Sequence, residues 1–224
     1  MLSHNKIDEM KKFTLLFLFL IAFNISKGQI NALTENGKQV ILFNNGTWKY
    51  SADSTLGKKN RTDTIKMNPA KFSKSGDATF LAKSNTVNVG VYVDPDKWTL
   101  KTHNENESNP EYRFSLKSGD GYAMLETEKT PIGLEAMRNI ALINAQKAAI
   151  DARITKQEYR IVNNKRILFL EISGTIQGIK FKYMGYYFSN EKGTTQLLSY
   201  TSEAMYNDAN KEMETFLNGL VVID

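Results

Sequence analysis

Cysteine is absent from all 224 residues of the chain. Its absence excludes disulfide bonds, thiolate zinc sites, iron–sulfur clusters and thiol nucleophiles, so the fold must be stabilised by side-chain packing. Histidine is nearly absent as well, with His4 close to the N-terminus and His103 alone in a polar stretch. A Ser-His-Asp triad would depend entirely on His103, and a metal site would have no second histidine.

Motifs for nucleotide and ester chemistry are also missing. No G-x-G-x-x-G element, phosphate-binding loop or G-x-S-x-G element occurs, and Asp94-Pro95-Asp96 lacks the spacing and central glycine of a calcium loop. Glu126 and Glu128 could act as the paired carboxylates of a glycosidase, and the glutamates of the loop at 103–111 could gather a cation weakly. Both patterns are commonplace on strands and loops, so we expect no catalytic residue, cofactor or metal site.

A large surplus of either charge is missing too. The chain has 29 basic and 24 acidic residues, and removal of residues 1–28 takes away four lysines and two acidic residues. The remaining 25 basic and 22 acidic residues give a net charge of about +3, with the signs interspersed. Nucleic-acid binding needs a concentrated basic patch, so we expect no nucleic-acid partner.

No apolar run reaches the roughly 20 residues that a membrane-spanning helix needs. The segment Met10–Gln29 has instead two lysines, about eleven apolar residues and the small-x-small triplet Ser26-Lys27-Gly28. This pattern predicts a signal peptide over residues 1–28, cleaved near Gly28-Gln29. Met10 is an alternative start, because acidic residues precede it. We expect a periplasmic or secreted protein with no membrane span and no cysteine for lipid attachment.

What the sequence does contain is a series of short β-prone runs. Three of them lie in residues 29–50, separated by Asn36-Gly37 and Asn45-Gly46, and Asn-Gly is typical of two-residue hairpin turns. They predict a small three-stranded β-meander. Residues 51–76 are polar and are interpreted as a linker, with a basic docking tether as the alternative. Residues 77–224 have the dense apolar pattern of one globular domain.

The domain at 77–224 combines strands with two helices. Periodicity of three and four residues predicts one helix at roughly Gly133–Ala149 and a closing helix from Tyr206 to Leu220. Short turns join four longer strands near 152–162, 166–174, 178–188 and 194–201. Strands in antiparallel succession with two inserted helices predict an α+β fold, in which helices cover an antiparallel sheet.

The stretch GIKFKYMGYY at Gly178–Tyr187 mixes lysines with aromatic residues, which is typical either of a ligand-binding stripe or of a two-faced strand. Pairing through the flanking turns would set Glu171 opposite Lys156 on one side and Lys182 on the other. These lysines are then cross-strand partners of Glu171.

The turns that set this register are a two-residue turn at Asn163-Asn164 and a four-residue turn at Thr175–Gly178. On the reverse face of the strands, the side chains are apolar and are predicted to lie beneath a helix: Leu168, Leu170 and Ile172. The lysine face remains a candidate partner surface for a glycan or a protein, formed by Lys156, Arg160, Lys180 and Lys182.

Several segments resemble exported bacterial members of the PsbP-like superfamily. They are D-P-D-K-W at Asp94–Trp98, GDGYAMLETE at Gly119–Glu128, and the continuous stretch from Glu158 to Glu203. The resemblance covers about residues 77–220, and the meander resembles a module found near the N-termini of exported Bacteroidetes proteins. The superfamily includes the photosystem II subunit PsbP and a Ran-binding nuclear import factor.

This resemblance implies a three-layer α/β/α sandwich with an antiparallel sheet. It also implies binding or assembly subunits without a common catalytic motif. We therefore expect a non-enzymatic exported binding or assembly protein of the cell envelope, with an envelope protein or a glycan as its partner. A glycan-active or other hydrolase is one alternative and requires converging carboxylates. An envelope ligand carrier or chaperone is the other, and it requires an apolar cavity between sheet and helices.

Overall fold

The structure, a computed structural model, describes residues 29–34, 39–43, 46–50, 65–101 and 110–223. The predicted signal peptide at 1–28 lies outside these ranges, and so do His103 and the first part of the predicted linker. Neither of the two helices in the described ranges is long and apolar enough to cross a bilayer.

The N-terminal unit consists of three strands that form a sheet of their own, in chain order. In its second strand pair, Val40 lies opposite Tyr50 and Leu42 lies opposite Trp48. The rings of Trp48 and Tyr50 meet edge to face at 5.3 Å and are both exposed. The strands are β1 (Gln29–Leu33), β2 (Gln39–Phe43) and β3 (Trp48–Tyr50).

The main domain is α+β, with a large mixed sheet, a small sheet and two helices. In spatial order, the large sheet contains β4 (Met67–Phe72), β10 (Arg153–Val162), β11 (Lys165–Ile176), β12 (Ile179–Asn190), β13 (Gly193–Ser202), β9 (Tyr122–Glu128), β8 (Tyr112–Leu116) and β7 (Trp98–Lys101). The small sheet contains β14 (Leu220–Val222), β6 (Val89–Val93) and β5 (Phe80–Lys83). The helices are α1 (Leu134–Ala148) and α2 (Tyr206–Leu217).

The large sheet is mixed and not wholly antiparallel, because β4 runs parallel to β10. Backbone hydrogen bonds hold β4 in place: the N–H of Tyr159 donates to Lys66 at 2.8 Å, and that of Asn163 donates to Phe72 at 2.9 Å. Residues 67–72 therefore belong to the sheet and not to a linker. As an edge strand, β4 needs hydrogen bonds on one side only, which is why it tolerates Pro69.

The two helices pack against opposite faces of the large sheet. On one face, the buried side chains of β11 and α1 form one cluster: Leu168, Leu170 and Ile172 with Met137 and Ala141. On the other face, the alternate residues of β11 join those of α2: Ile167 and Phe169 with Met213, Phe216 and Leu217. The prediction that the Leu168 face is buried beneath a helix is confirmed, since that side chain is 0% exposed.

The hairpin of β10 and β11 has the predicted register. Val162 lies opposite Lys165, and Lys156 lies opposite Glu171. The turn residues Asn163 and Asn164 adopt φ angles of 46° and 66°, the left-handed conformation that a two-residue hairpin turn needs.

The next hairpin, of β11 and β12, differs from its prediction. Its turn has two residues, Gln177 and Gly178, with φ angles of 50° and 82°, and not four. Lys182 therefore lies opposite Ser173 and not opposite Glu171. The shift is two residues, so every side chain stays on the predicted face.

Arg160 is the buried centre of a polar network, with 2% of its surface exposed. Its guanidinium donates to carboxylates of Glu158 and Glu214, both at 2.6 Å, and to the hydroxyl of Tyr186 at 3.0 Å. It lies 3.7 Å from the ring centre of Phe169. Burial alone would lower the pKa of Arg160, but these hydrogen-bonded partners raise it. The prediction that Arg160 contributes to a partner surface is wrong, because its charge is enclosed by the protein.

Further hydrogen bonds connect this network to strand β4 and to the end of helix α2. Asn68 of β4 donates to Glu158 at 3.1 Å, and the hydroxyl of Tyr186 donates to Asn218, just after α2, at 2.7 Å. Asn163 donates to the carbonyl oxygens of Asn218 and Leu220, both at 2.8 Å. The edge strand, the sheet and the end of α2 are thus connected through polar contacts.

We expect Arg160→Met to lower the free energy of unfolding by about 2–4 kcal/mol, because removing one partner of a buried ion pair leaves the other uncompensated. Arg166→Met is the matched control. Arg166 also stacks on a ring, 3.9 Å from the centre of Tyr159, but it is exposed. Its loss should cost less than about 1 kcal/mol. Urea denaturation of both variants measures the difference, and equal losses would show that stacking alone makes Arg160 important.

Candidate functional site

The three remaining residues of the predicted partner surface each lie beside a carboxylate. The Nζ to oxygen distances are 3.4 Å for Lys156 and Glu158, 3.6 Å for Lys180 and Glu203, and 3.3 Å for Lys182 and Glu171. The side chain of Lys180 is 71% exposed, whereas that of Lys182 is 21% exposed. With Arg160 buried, these residues do not form a patch of uncompensated positive charge.

Glu171, the predicted partner of two lysines, is held by one lysine and two hydroxyls. Thr155 donates to it at 2.7 Å, Tyr206 at 2.8 Å and Lys182 at 3.3 Å. The ammonium group of Lys156 instead forms an ion pair with the carboxylate of Glu158. Burial alone would raise the pKa of Glu171, but its donors outweigh burial and lower the pKa from its ordinary 4.5.

A group whose pKa is lowered by folding stabilises the folded state above its unfolded pKa, and this stabilisation is lost as the pH falls through the folded pKa. We therefore expect Glu171→Gln to be less stable than the wild type near neutral pH. The difference should shrink as the pH falls below about 4.5. Urea denaturation over this pH range measures it, with Glu191→Gln, in an exposed turn, as the control. A difference that is independent of pH would contradict the expectation.

A cavity of about 220 Å³ lies between α1 and the sheet. Its helix wall is made mainly of Ala141, Ala145 and Ala148, and its sheet wall includes Ile172, Tyr183 and Leu198. Alanine ends at Cβ, so a helix that presents alanines to a sheet leaves space that longer side chains would fill. The cavity is therefore a product of side-chain size at the helical positions that face the sheet.

Two glycines shape the walls of the cavity. A Cβ on Gly174 would lie 2.9 Å from Cβ of Ala149, so the chain after α1 packs directly on β11. A Cβ on Gly185 would lie 2.7 Å from Cε2 of Tyr187 and 2.9 Å from its hydroxyl. The ring of Tyr187 therefore folds back across the strand over Gly185 and lines the cavity.

Few polar groups lie on this mainly apolar wall. Glu126 of β9 and Gln196 of β13 face the cavity, as do Tyr183 and Tyr187 of β12. Burial raises the pKa of Tyr187, and the nearby charge of Glu126 raises it further. The cavity thus combines an apolar surface with a small set of hydrogen-bonding groups, the usual make-up of a ligand site.

Among the described lining residues of the cavity, Glu126 is the one carboxylate. Burial raises its pKa, the neighbouring charge of Glu128 adds to that effect, and Arg113 opposes it. None of the residues that the structure describes donates a hydrogen bond to Glu126 or forms an ion pair with it. The two glutamates that the sequence pairs as candidate acids therefore differ, because Glu126 is half-buried in the cavity wall and Glu128 is exposed.

The acidic loop that the sequence offers for a cation is only partly described. Glu111 accepts hydrogen bonds from Ser84 at 2.8 Å and from Thr127 at 2.6 Å, so it serves to connect strands. Glu105 and Glu107 lie outside the described residues. Elsewhere in the described ranges, no three acidic or histidine side chains come close enough to share a metal ion.

A row of stacked tyrosines leads away from the cavity along the sheet. Tyr200 lies between Tyr183 and Tyr122 in the strand register, with ring centres 5.3 Å and 5.6 Å apart. Tyr183 lines the cavity, whereas Tyr122 is 41% exposed. This row was not predicted from the sequence. Counting outward from the turn between β12 and β13 would have paired Tyr183 with Tyr200, but Tyr122 lies on a strand that is distant in the chain.

Comparison with known proteins identifies the fold. No protein-family profile matches the sequence, and neither does any curated protein. Among solved structures, that of cyanobacterial PsbP (CyanoP) from Synechocystis is similar with a TM-score of 0.51 and 11% identity, over 67% of this chain and 97% of that chain. The fold is PsbP-like. The resemblance predicted from sequence is confirmed at this level, and an identity so low shows fold alone.

Two other solved structures match with lower scores. A protein from Bacteroides thetaiotaomicron matches with a TM-score of 0.40 and 12% identity, over 61% of this chain and 46% of that chain. A Pseudomonas aeruginosa protein of unknown function matches with a TM-score of 0.41 and 9% identity, over 65% of this chain and 97% of that chain.

We expect Gly185→Ala to destabilise the PsbP-like domain by about 1–3 kcal/mol, because the new methyl group would displace the ring of Tyr187 in a packed wall. Gly76→Ala is the matched control, since a Cβ there would meet no atom within 4 Å. Chemical denaturation of the two variants compares them directly. Equal stability of Gly185→Ala and the wild type would show that the ring of Tyr187 moves without cost.

Proposed function

We propose that this PsbP-like protein is a non-enzymatic binding protein of the cell envelope, and that it holds a small, largely apolar ligand between α1 and the sheet. The observation that carries the proposal is the cavity of about 220 Å³ with its alanine wall. Ligand sites are typically concave, mostly apolar and supplied with a few polar groups. Among the functions that the sequence leaves open, this is the envelope ligand carrier.

The volume of the cavity sets the size of the ligand. An engineered protein cavity of about 150 Å³ binds benzene, and pockets for drug-sized molecules measure about 300–1,000 Å³. A cavity of about 220 Å³ lies between these values. It suits a molecule with one ring and a short chain, or an aliphatic molecule of similar size.

The layers of the domain support this placement of the ligand. In the proposed three-layer α/β/α sandwich, one helix covers each face of the sheet. The α2 face is filled by large side chains such as Trp98, Phe114 and Phe216. The α1 face carries alanines in the corresponding layer. Export is proposed from the signal-peptide pattern at Met10–Gln29.

The two other functions have less support. The lysines predicted as a partner surface are ion-paired with neighbouring carboxylates, and Arg160 is buried. A glycosidase needs two carboxylates on either side of the scissile bond, whereas Glu126 alone lines the cavity and Glu128 does not. We therefore place the binding function in the cavity and not on the lysine face.

Titration of the purified chain with 2-phenylethanol, a neutral molecule with one ring and a short chain, tests the proposal. We expect calorimetry to detect binding to the wild type. Ala145→Leu should weaken it about tenfold or more, because the added side chain fills space that the ligand needs. Lys147→Leu adds the same side chain at an exposed position of α1 and should bind like the wild type.

Circular dichroism and thermal denaturation establish that each variant is folded. Absence of binding to the wild type, or unchanged binding by a folded Ala145→Leu, would refute the cavity as a ligand site.

A further inference from the structure

We propose that the ligand of the cavity is a cation: an arylalkyl or alkyl amine whose ammonium group pairs with Glu126 while its apolar body lies against the alanines of α1. This inference deepens the proposed function and rests on it. It concerns the charge of the ligand, which the size and apolar surface of the cavity leave open.

The first argument is the unmatched carboxylate of Glu126. It is half-buried in an apolar wall, and no group in the described part of the chain donates a hydrogen bond to it. A carboxylate in such surroundings is unfavourable unless it is paired. Two other half-buried carboxylates in the described ranges do have donors: Glu158 has Arg160, and Glu171 has Thr155. Glu126 is thus placed where a ligand can supply the missing donor.

The second argument is the sign of the charge around the cavity. Among its described lining residues, there is no lysine, arginine or histidine. Glu128 follows Glu126 on the same face of β9 and adds negative charge nearby. Arg113 opposes this negative charge from outside the cavity lining. At the described lining itself, an anionic ligand would meet like charge, whereas an ammonium group meets opposite charge.

The third argument is the aromatic content of the sheet wall. Phe181, Tyr183 and Tyr187 line the cavity beside the apolar residues. The faces of aromatic rings attract cations and give no comparable attraction to anions. The rings also offer stacking surface to an aryl group. Carboxylate and rings together favour an amine with an apolar body over a neutral or acidic molecule of the same shape.

A matched set of three molecules on one skeleton tests this inference: 2-phenylethylamine, 2-phenylethanol and phenylacetate. Calorimetric titration of the purified chain near neutral pH gives the three dissociation constants. We expect the amine to bind about tenfold more tightly than the alcohol, because a hydrogen bond between two charged groups is stronger than a neutral one. Phenylacetate should bind more weakly than the alcohol.

Glu126→Gln should remove the preference for the amine: the ratio of the dissociation constants of the alcohol and the amine, both measured on this variant, should fall from about ten to about one. Glu191→Gln, in the exposed turn between β12 and β13 and outside the described cavity lining, is the control and should leave the preference in place. Retention of the preference in a folded Glu126→Gln would overturn the inference.

The outcomes separate this inference from the proposed function. If the wild type binds the alcohol and the amine equally, the charge assignment fails while the cavity remains a binding site. If none of the three molecules binds, both proposals fail. If Ala145→Leu abolishes binding of the alcohol but not of the amine, the amine binds elsewhere, and the inference is again overturned.

Discussion

The main domain depends on one buried positive charge. Arg160 lies on the face of Phe169 with its guanidinium 2.6 Å from carboxylates of both Glu158 and Glu214. Burying a guanidinium is costly, and this arrangement is stable only because the ion pairs and the ring contacts are formed together. The partners of Arg160 come from β10, β12 and α2, and Glu158 connects to β4. The position of α2 on the sheet is therefore fixed by directional ion pairs and hydrogen bonds as well as by hydrophobic burial.

The two faces of the sheet differ in how completely they are filled. On the α2 face, the ring centres of Trp98 and Phe216 are 4.6 Å apart, and those of Phe114 and Phe216 are 5.0 Å apart. On the α1 face, alanines leave a cavity. Unfilled space lowers the free energy of unfolding. We infer that the close packing of the α2 face offsets this loss. One helix thus contributes to the closely packed core, while the other bounds the cavity that we propose as the binding site.

Much of the fold could be predicted from sequence, because turns and periodicity are local properties. Asn163-Asn164 predicted the two-residue turn of the first hairpin correctly. The turn of the second hairpin was predicted too long, because a residue other than glycine or asparagine, such as Gln177, seldom adopts a positive φ. Strand β4 was missed because an edge strand needs no apolar alternation. Arg160 follows Lys156 and Glu158 at every second position of β10, a charged pattern typical of an exposed face. Its burial depends on rings brought from other strands. The cavity was not predicted because alanine keeps the apolar pattern of a helix while changing the volume it fills.

The parallel edge strand has a consequence for the order of folding. The hairpins from β10 to β13 join neighbours in the chain, whereas Asn68 and Glu158, which connect β4 to β10, are separated by 90 residues. Contacts between distant residues form late, because closing a long loop costs entropy before any contact is gained. Until β4 adds to it, β10 presents unpaired backbone groups on one side, and such an edge can recruit a strand from another molecule. A chain in which β4 has not yet paired with β10 therefore exposes a longer sheet edge, without the proline that interrupts β4.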